Sequence, residues 1–150
     1  MKDMSPPARL EIEQECAKLV TLFCNLNDAR DYDGLADLFT EDGVFARPTD
    51  PANPIKGRAE IRRRFDMKPR ELLTRHLISN IVIQAESPES ARGESYMLLY
   101  TGQEPPGTAL PVPAAPQALL GAFKSRFVRS REGWRIAEHI GSLALTIGAK

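Results

Sequence analysis

The sequence predicts an α+β domain in which helices come first and an antiparallel sheet follows. The first third of the chain carries apolar residues at three- and four-residue steps, which is typical of amphipathic helices. The second half contains long runs rich in β-branched and aromatic residues, separated by turn signals. A length of 150 residues fits one domain, residues 1–150, with a single hydrophobic core.

A long first helix is predicted for residues 5–28. Ser5 is suited to cap it, and the two prolines that follow are tolerated in a first turn. Its apolar stripe consists of Ile12, Cys16, Leu19, Val20, Phe23 and Cys24. Cys16 and Cys24 are too far apart on such a helix to form a disulfide, so both are predicted to be reduced core residues.

Shorter elements are expected next. DYDGLADLF predicts a second helix that TEDG ends, and VFARP predicts a short strand. PTDPANP is rich in proline and predicts a loop. KGRAEIRRRF then predicts a third helix whose arginines face solvent.

The four long runs that follow predict a meander of strands, because the links SPE and REG are short enough for hairpins. The runs are TRHLISNIVIQAE, SARGESYMLLYTGQ, ALLGAFKSRFVRS and GWRIAEHIGSLALT. Between the second and third lies the proline-rich stretch 104–117, EPPGTALPVPAAPQ. We expect it to be mobile, or to cover the pocket or a neighbouring subunit.

Charge and composition narrow the class of partner. The twenty basic and twenty acidic residues cancel, and no long run of one sign favours nucleic acid or a membrane surface. Neither a secretion signal nor a membrane span is recognisable, so a cytoplasmic location is expected. The sequence has neither a zinc-type ligand spacing nor a glycine-rich phosphate loop, so it gives no reason to expect a metal or cofactor. Helices on one face of a curved sheet leave a cavity, which is where a small-molecule substrate would bind.

Two polar positions do not fit a plain core. His76 enters the first long strand, and Asp28 lies at the margin of the helical stripe, next to Asn27 near its centre. An aspartate that accepts one ring N–H of a histidine fixes the tautomer and leaves the other nitrogen as a base. On the residues alone, Asp28 can equally be a helix-terminal acid, and a lone histidine on a strand is more often a structural residue than a catalyst. Strict alternation places His76, Ile78, Asn80 and Val82 on one face and Leu77, Ile81 and Ile83 on the other.

His139 is the second of the two histidines in the chain. Strict alternation groups it with Arg135 and Ala137, opposite Trp134 and Ile136. A β-bulge in this strand would reverse that direction.

The order and spacing of NDARDYDGLADLFTEDGVF, KGRAEI, TRHLISN and GAFKSRFVRSREGWRIAEH resemble those of the SnoaL-like proteins of the nuclear transport factor 2-like superfamily. The resemblance covers nearly the whole chain. It implies a cone-shaped fold, in which a bent, mostly antiparallel sheet wraps around the long first helix and encloses a deep pocket.

Three enzymes of this group are similar in the residues that matter: scytalone dehydratase, hexachlorocyclohexane dehydrochlorinase and bile-acid 7α-dehydratase. Each pairs an aspartate near the end of the first helix with a histidine at the start of the first long strand, and these positions fall on Asp28 and His76. An arginine of the last strand, present in the second and third enzymes, falls on His139. The resemblance therefore implies Asp28, His76 and His139 as catalytic residues.

The chain departs from these enzymes elsewhere in the implied pocket. Asn27 and Arg47 stand near the tyrosine positions of scytalone dehydratase, Thr101 near its second histidine, and Phe23 at the lysine position of the dehydrochlorinase. No substrate is therefore identified, and scytalone itself is disfavoured. The implied substrate contacts are Phe23, Asn27, Phe45, Arg47, Asn80, Tyr96 and Phe123.

The favoured hypothesis is a lyase that acts on a hydrophobic, cyclic or polyketide-like substrate without metal or cofactor. His76 would remove a proton while Asp28 holds its ring, and His139, Asn80 or Tyr96 would donate to the leaving group or oxyanion. An isomerase of the ketosteroid type stays open as an alternative. So does a non-catalytic ligand carrier or a module like the small subunit of a dioxygenase.

A homo-oligomer, either a dimer or a trimer, is expected as well. The predicted outer sheet face carries Leu77, Ile81 and Ile83, and a monomer seldom leaves a large apolar patch in water.

Overall fold

A computed structural model describes residues 4–149 and confirms the α+β class. Its elements are α1 (Pro6–Asp28), α2 (Tyr32–Asp37), β1 (Phe39–Arg47), β2 (Asp50–Lys56), α3 (Arg58–Asp66), β3 (Leu72–Ser87), β4 (Ser90–Gln103), β5 (Ala118–Ser130) and β6 (Gly133–Ile147). The strands form one curved, open sheet in the order β2-β1-β6-β5-β4-β3. Strands β2 and β3 are therefore its edges.

Helix α1 begins where predicted because Ser5 caps it. The Ser5 hydroxyl accepts a hydrogen bond from the Ala8 backbone N–H at 3.4 Å, and two prolines occupy the first turn. Its buried side is the predicted stripe continued to Asn27. Cys16 and Cys24 are buried and free, as predicted. Neither α1 nor any other helix within residues 4–149 is apolar over a length that would cross a membrane.

The long strands form the predicted meander. Strands β3 and β4, β4 and β5, and β5 and β6 pair antiparallel. Strand β1 instead runs parallel to β6, with Phe45 opposite His139, so the sheet is mixed rather than purely antiparallel. Parallel pairing arises here because β1 and β6 lie far apart in the chain, and no hairpin fixes their relative direction.

The segment before α3 is more extended than predicted. TEDG does not end helix α2 but lies within β1, which starts at Phe39. Most of PTDPANP forms β2 instead of a loop. Proline is tolerated there because β2 is an edge strand, so Pro51 and Pro54 have no second strand that needs their missing N–H.

A β-bulge at Asn80 reverses the faces of the second half of β3. Ser79 lies opposite Tyr96 and Val82 opposite Glu94, so β3 carries one extra residue between these pairs. Asn80 has a positive φ of 52°, a conformation that asparagine adopts more readily than most residues. Beyond the bulge, every side chain therefore faces the side opposite to the predicted one.

The bulge places several side chains on the face opposite to the one predicted. Ile81 and Ile83 pack against the core, whereas Val82 is 68% exposed on the outer face. Asn80 is also exposed, and its Oδ1 accepts a hydrogen bond from the Ser79 hydroxyl at 2.9 Å. The prediction that Asn80 contacts the substrate is therefore wrong.

Tyr96 also lies outside the pocket, where a substrate contact is predicted for it. Strand β4 alternates regularly here, burying Ser95 and Met97 and leaving Tyr96 54% exposed on the outer face. A ligand held inside the domain cannot reach the Tyr96 hydroxyl, so the predicted contact is wrong.

Helix α1 covers the concave face of the sheet, where it contacts β3, β4 and β6. Phe23 lies at the centre of the packing, with ring centroids 5.2 to 6.0 Å from those of its neighbours Phe39, Phe45, Phe65 and Phe123. Such edge-to-face and tilted pairs fix the distance between helix and sheet. A pocket opens beside this aromatic cluster.

Residues 104–117 lie against the end of β4. Gly102 forms a bridge with Ala114, and the Ala115 N–H donates to the Thr101 carbonyl at 2.8 Å. None of residues 104–117 lines the pocket, so the prediction that they cover it is wrong. Their mobility and their contact with another subunit stay predictions.

Candidate active site

The pocket encloses about 210 Å³ between the last turns of α1, the end of α3 and the concave face of the sheet. Its apolar wall includes Phe23, Phe45, Phe65, Met97, Leu99 and Phe123. Its polar side chains are Asn27, Arg47, Thr49, Lys68, Thr74, His76 and Thr101. An apolar cavity with a small number of polar groups is the usual form of a small-molecule site.

Most of the predicted contacts meet in this pocket. Phe23, Asn27, Phe45, Arg47 and Phe123 all line it, together with His76. Asn80 and Tyr96, on the outer face, do not.

Asp28 and His76 are in direct contact. The Nδ1 atom of His76 lies 2.5 Å from Oδ1 of Asp28, and the His76 backbone N–H donates to Oδ2 at 2.8 Å. The hydroxyl of Thr74 donates to Oδ1 at 2.9 Å. Three donors therefore hold one carboxylate, and the side chains of His76 and Asp28 are only 9% and 13% exposed.

Asp28 remains ionised in this environment. Burial alone would raise its pKa, but hydrogen bonds from the His76 ring and backbone, the charge of the imidazolium and the Thr74 hydroxyl together hold the pKa below its ordinary value. An ionised Asp28 accepts a hydrogen bond from Nδ1–H and so favours the tautomer with a lone pair on Nε2. Within residues 4–149, Nε2 of His76 makes no hydrogen bond, and the ring lines the pocket. The site thus presents a basic nitrogen to a bound molecule.

His139 faces the interior, contrary to strict alternation. The register of β6 against β5 shifts at Ala137, which places His139 on the same side as Ile136. The ring nevertheless does not line the pocket. It stacks on Phe123 with centroids 3.9 Å apart, and Phe23 meets it edge-on at 4.6 Å.

His139 is therefore placed as a packing residue rather than as a proton donor to substrate. Its Nδ1 lies 2.7 Å from the Ser125 hydroxyl, and its Nε2 has no hydrogen-bond partner among the described residues. Complete burial lowers the pKa of the ring to about 3, so the imidazole is neutral at pH 7. The position does not support the catalytic role that the resemblance implied.

Two polar residues of the site were missed from sequence. Thr74 stands two residues before His76, so the two-residue period of a strand could have placed both on one face. Lys68 follows α3 in a turn, where no periodic pattern fixes the direction of a side chain. Its Nζ nevertheless donates to Oδ1 of Asn27 at 2.8 Å inside the pocket.

No group of three or more histidine, cysteine, aspartate or glutamate side chains within residues 4–149 is arranged to hold a metal ion.

Residues 8–139 match the family model of the SnoaL-like domain. The chain belongs to this family. The match covers the first helix from residue 8 onward, the sheet as far as His139 and all the elements that form the pocket. No curated protein matches this SnoaL-like domain.

Solved structures share the fold at low sequence identity. A candidate scytalone dehydratase from Novosphingobium aromaticivorans is 19% identical with a TM-score of 0.77, over 97% of this chain and 93% of that one. A hexachlorocyclohexane dehydrochlorinase is 14% identical with a TM-score of 0.78, over 97% and 94%. A candidate aromatic ring hydroxylase from N. aromaticivorans is 19% identical with a TM-score of 0.73, over 97% and 96%. At such identities the likeness shows the nuclear transport factor 2-like fold alone.

The buried His139 predicts a specific pH dependence of the stability of this SnoaL-like domain. Because its pKa is lowered in the folded state, its stabilising contribution is complete above the unfolded value of about 6.5 and is lost as pH falls towards about 3. In that window the free energy of unfolding should fall by about 1.4 kcal/mol per pH unit from this residue. Urea unfolding of wild type and His139→Gln between these pH values measures the difference.

The variant His76→Gln is the matched control, since it removes the other imidazole. It should retain the fall that His139 causes. If His139→Gln and wild type lost stability in parallel, His139 would have to be protonated in the folded protein.

Proposed function

We propose that the protein is a small-molecule lyase that eliminates water or another leaving group from a hydrophobic, cyclic substrate. The hydrogen-bonded pair of Asp28 and His76 at the wall of an apolar pocket carries this proposal. Neither a metal nor an organic cofactor is required for base-assisted elimination next to a carbonyl.

His76 is the general base in this mechanism. Its Nε2 takes a proton from a carbon that a neighbouring carbonyl acidifies, while Asp28 keeps Nδ1–H in place and stabilises the imidazolium that forms. The Thr74 hydroxyl and the His76 backbone N–H hold the Asp28 carboxylate from the other sides, so the ring does not need to reorient during the reaction.

The pocket favours a compact and largely apolar substrate. Its volume of about 210 Å³ lies below the range of about 300 to 1,000 Å³ that is common for drug-sized ligands. Phe23, Phe45 and Phe123 supply flat contact area for a ring. Neighbours in the fold that are named as a dehydrochlorinase and as a candidate dehydratase support the same class of reaction, although their identities are too low to transfer a substrate.

Substitution of the pair tests the mechanism. With a panel of one- and two-ring β-hydroxy ketones, wild type should form the conjugated enone, followed by its ultraviolet absorbance. His76→Ala should lose the base and on the order of 10² to 10⁴ in kcat. Asp28→Asn should lose about 10²-fold or more, because an amide holds the wrong tautomer. In both variants KM should change much less than kcat, since the aromatic wall provides most of the binding.

The exposed Asp37 offers the matched control, and Asp37→Asn should behave as wild type. Return of the proton to a different carbon, without loss of a group, would instead establish an isomerase. Full turnover by His76→Ala, or binding of the ketones without any turnover by wild type, would leave the non-catalytic carrier as the function.

We further propose that the protein is a cytoplasmic dimer or trimer. Two buried, free cysteines suit a reducing compartment. The apolar patch that favours oligomerisation differs from the predicted one, since Ile81 and Ile83 face inward. It consists of Leu77 with its cross-strand neighbours Tyr96, Leu98 and Tyr100 on the outer face.

Light scattering at micromolar concentration should therefore give a multiple of the 16.6 kDa chain mass. Leu77→Asp places a charge within the patch and should shift the protein towards monomer. Gln84→Asp, on an exposed part of the same strand, serves as the control and should leave the mass unchanged. A wild-type protein that is monomeric across this concentration range would refute the oligomer.

A further inference from the structure

Lys68 enters the pocket from the turn that follows α3. No other charged residue of α3 or of this turn lines the pocket. Lys68 follows the end of α3, where its backbone N–H donates to the Phe65 carbonyl at 3.1 Å. The side chain then crosses to the end of α1, and Nζ donates to Oδ1 of Asn27 at 2.8 Å. Nζ also lies 5.3 Å from the centre of the Phe65 ring, a favourable position for a cation.

The ammonium has no anionic partner. None of the ion pairs within residues 4–149 includes Lys68. An ammonium has three N–H donors, and Asn27 accepts only one hydrogen bond from it. Arg47 also lines the pocket, and within residues 4–149 its side chain makes one hydrogen bond, a long one of 3.5 Å to the Arg64 carbonyl. Half-buried cations are costly unless they are paired, so this part of the pocket is suited to a negatively charged oxygen of a ligand.

The surrounding charges act on Lys68 in opposite directions. Burial, with smaller contributions from the charges of Arg47 and Arg30, lowers the pKa of Lys68 to about 8, and the Asp28 carboxylate opposes this shift. Asp28 is itself held by His76 and Thr74. At pH 7 Lys68 is thus still protonated, and an anion bound beside it would relieve the cost of its burial.

We propose that Lys68 is a second catalytic residue, which binds the substrate carbonyl oxygen and stabilises the enolate formed when His76 removes the neighbouring proton. Asn27 is its positioning residue, as Asp28 is that of His76. The inference rests on the proposed elimination, and it specifies the substrate class as compounds with a carbonyl next to the acidic C–H bond and a leaving group on the carbon beyond.

The reaction balances with these groups alone. Nε2 of His76 takes the proton, the C–H bond electrons form a C=C bond, and the carbonyl electrons move to the oxygen that Lys68 holds. The enolate then re-forms its C=O bond, the C=C bond shifts by one position, and the bond to the leaving group breaks with its electron pair. The proton on His76 passes to a departing hydroxide to give water. Neither an oxidant nor a further reactant is consumed.

A phenolate tests the anion site without knowledge of the natural substrate. We choose p-nitrophenol, because its oxygen resembles an enolate oxygen and its absorbance distinguishes phenol from phenolate. Bound to wild type it should be largely the phenolate, even at a pH where the free probe is mixed. Lys68→Met should weaken phenolate binding by about 10- to 100-fold, the usual effect of losing a hydrogen bond to a charged group.

Lys68→Arg keeps a cation and should retain much of the affinity. Lys18→Met removes an exposed lysine from α1 and should bind as wild type does. Thermal unfolding of each variant separates loss of the site from loss of the fold. Equal phenolate affinity in wild type and Lys68→Met would overturn the proposal.

The pH dependence adds a readout that a purely structural lysine would not give. The affinity for the phenolate form of the probe should fall as pH rises through about 8 in wild type, because Lys68 loses its charge there. In Lys68→Arg this affinity should not fall. Asn27→Ala should weaken phenolate binding in wild type but not in the Lys68→Met background, because Asn27 acts through Lys68. A pH-independent affinity, or additive losses in the double variant, would contradict these roles.

Failure of this inference is distinguishable from failure of the proposed function. Enone formation that needs His76 but is unaffected by Lys68→Met would reject the role of Lys68 and keep the lyase. Lys68-dependent phenolate binding without elimination from any β-hydroxy ketone would reject the enolate step along with the lyase, and would leave only an anion site.

Discussion

The hydrogen bonds that Asp28 accepts at the end of α1 are the constraint on which the rest of the site depends. Strand β3 is an edge of the sheet, and the backbone N–H of His76 points away from β4, to the side where no strand can accept its hydrogen bond. The Asp28 carboxylate accepts it, together with the ring Nδ1–H and the Thr74 hydroxyl. A single side chain thereby satisfies the edge backbone, holds the helix against the sheet and orients the His76 ring.

The same helical turn explains how a base and a cation come to share one small pocket. Asn27 and Asp28 are adjacent in sequence, and each holds one group from a different part of the chain: Lys68 from the turn after α3 and His76 from β3. The rings of Phe23 and Phe65 pack edge-to-face beside these elements and form part of the apolar wall of the pocket. In such surroundings a fixed positive charge is worth more to a developing oxyanion than it would be in water.

Sequence reasoning succeeds here where local patterns are regular. The three- and four-residue period of α1, its serine cap and the β-rich runs of the meander correctly predict the fold, and Asp28 and His76, which the resemblance pairs, lie in contact. It fails where one inserted residue changes a face. The bulges at Asn80 and Ala137 invert the directions predicted from strict alternation.

A residue in a turn is the other case in which the sequence does not predict where a side chain points. Lys68 belongs to no periodic pattern, so only the folded structure, which brings the end of α3 close to Phe23 and Asn27, shows that its side chain enters the pocket. Edge strand β2 was missed for a related reason. Its prolines indicate a loop by composition, and only its place at the margin of the sheet makes them compatible with a strand.

The tautomer of His76 decides whether Asp28 leaves Nε2 free to act as a base. Long-range ¹⁵N–¹H correlation spectra of the histidine rings distinguish a proton on Nδ1 from one on Nε2 in the neutral imidazole. We expect His76 to carry its proton on Nδ1 in wild type, which leaves Nε2 free as the proposed base, and Asp28→Asn to lose this preference. A neutral His76 protonated on Nε2 in wild type would rule out His76 as the base, because no lone pair would then face the pocket.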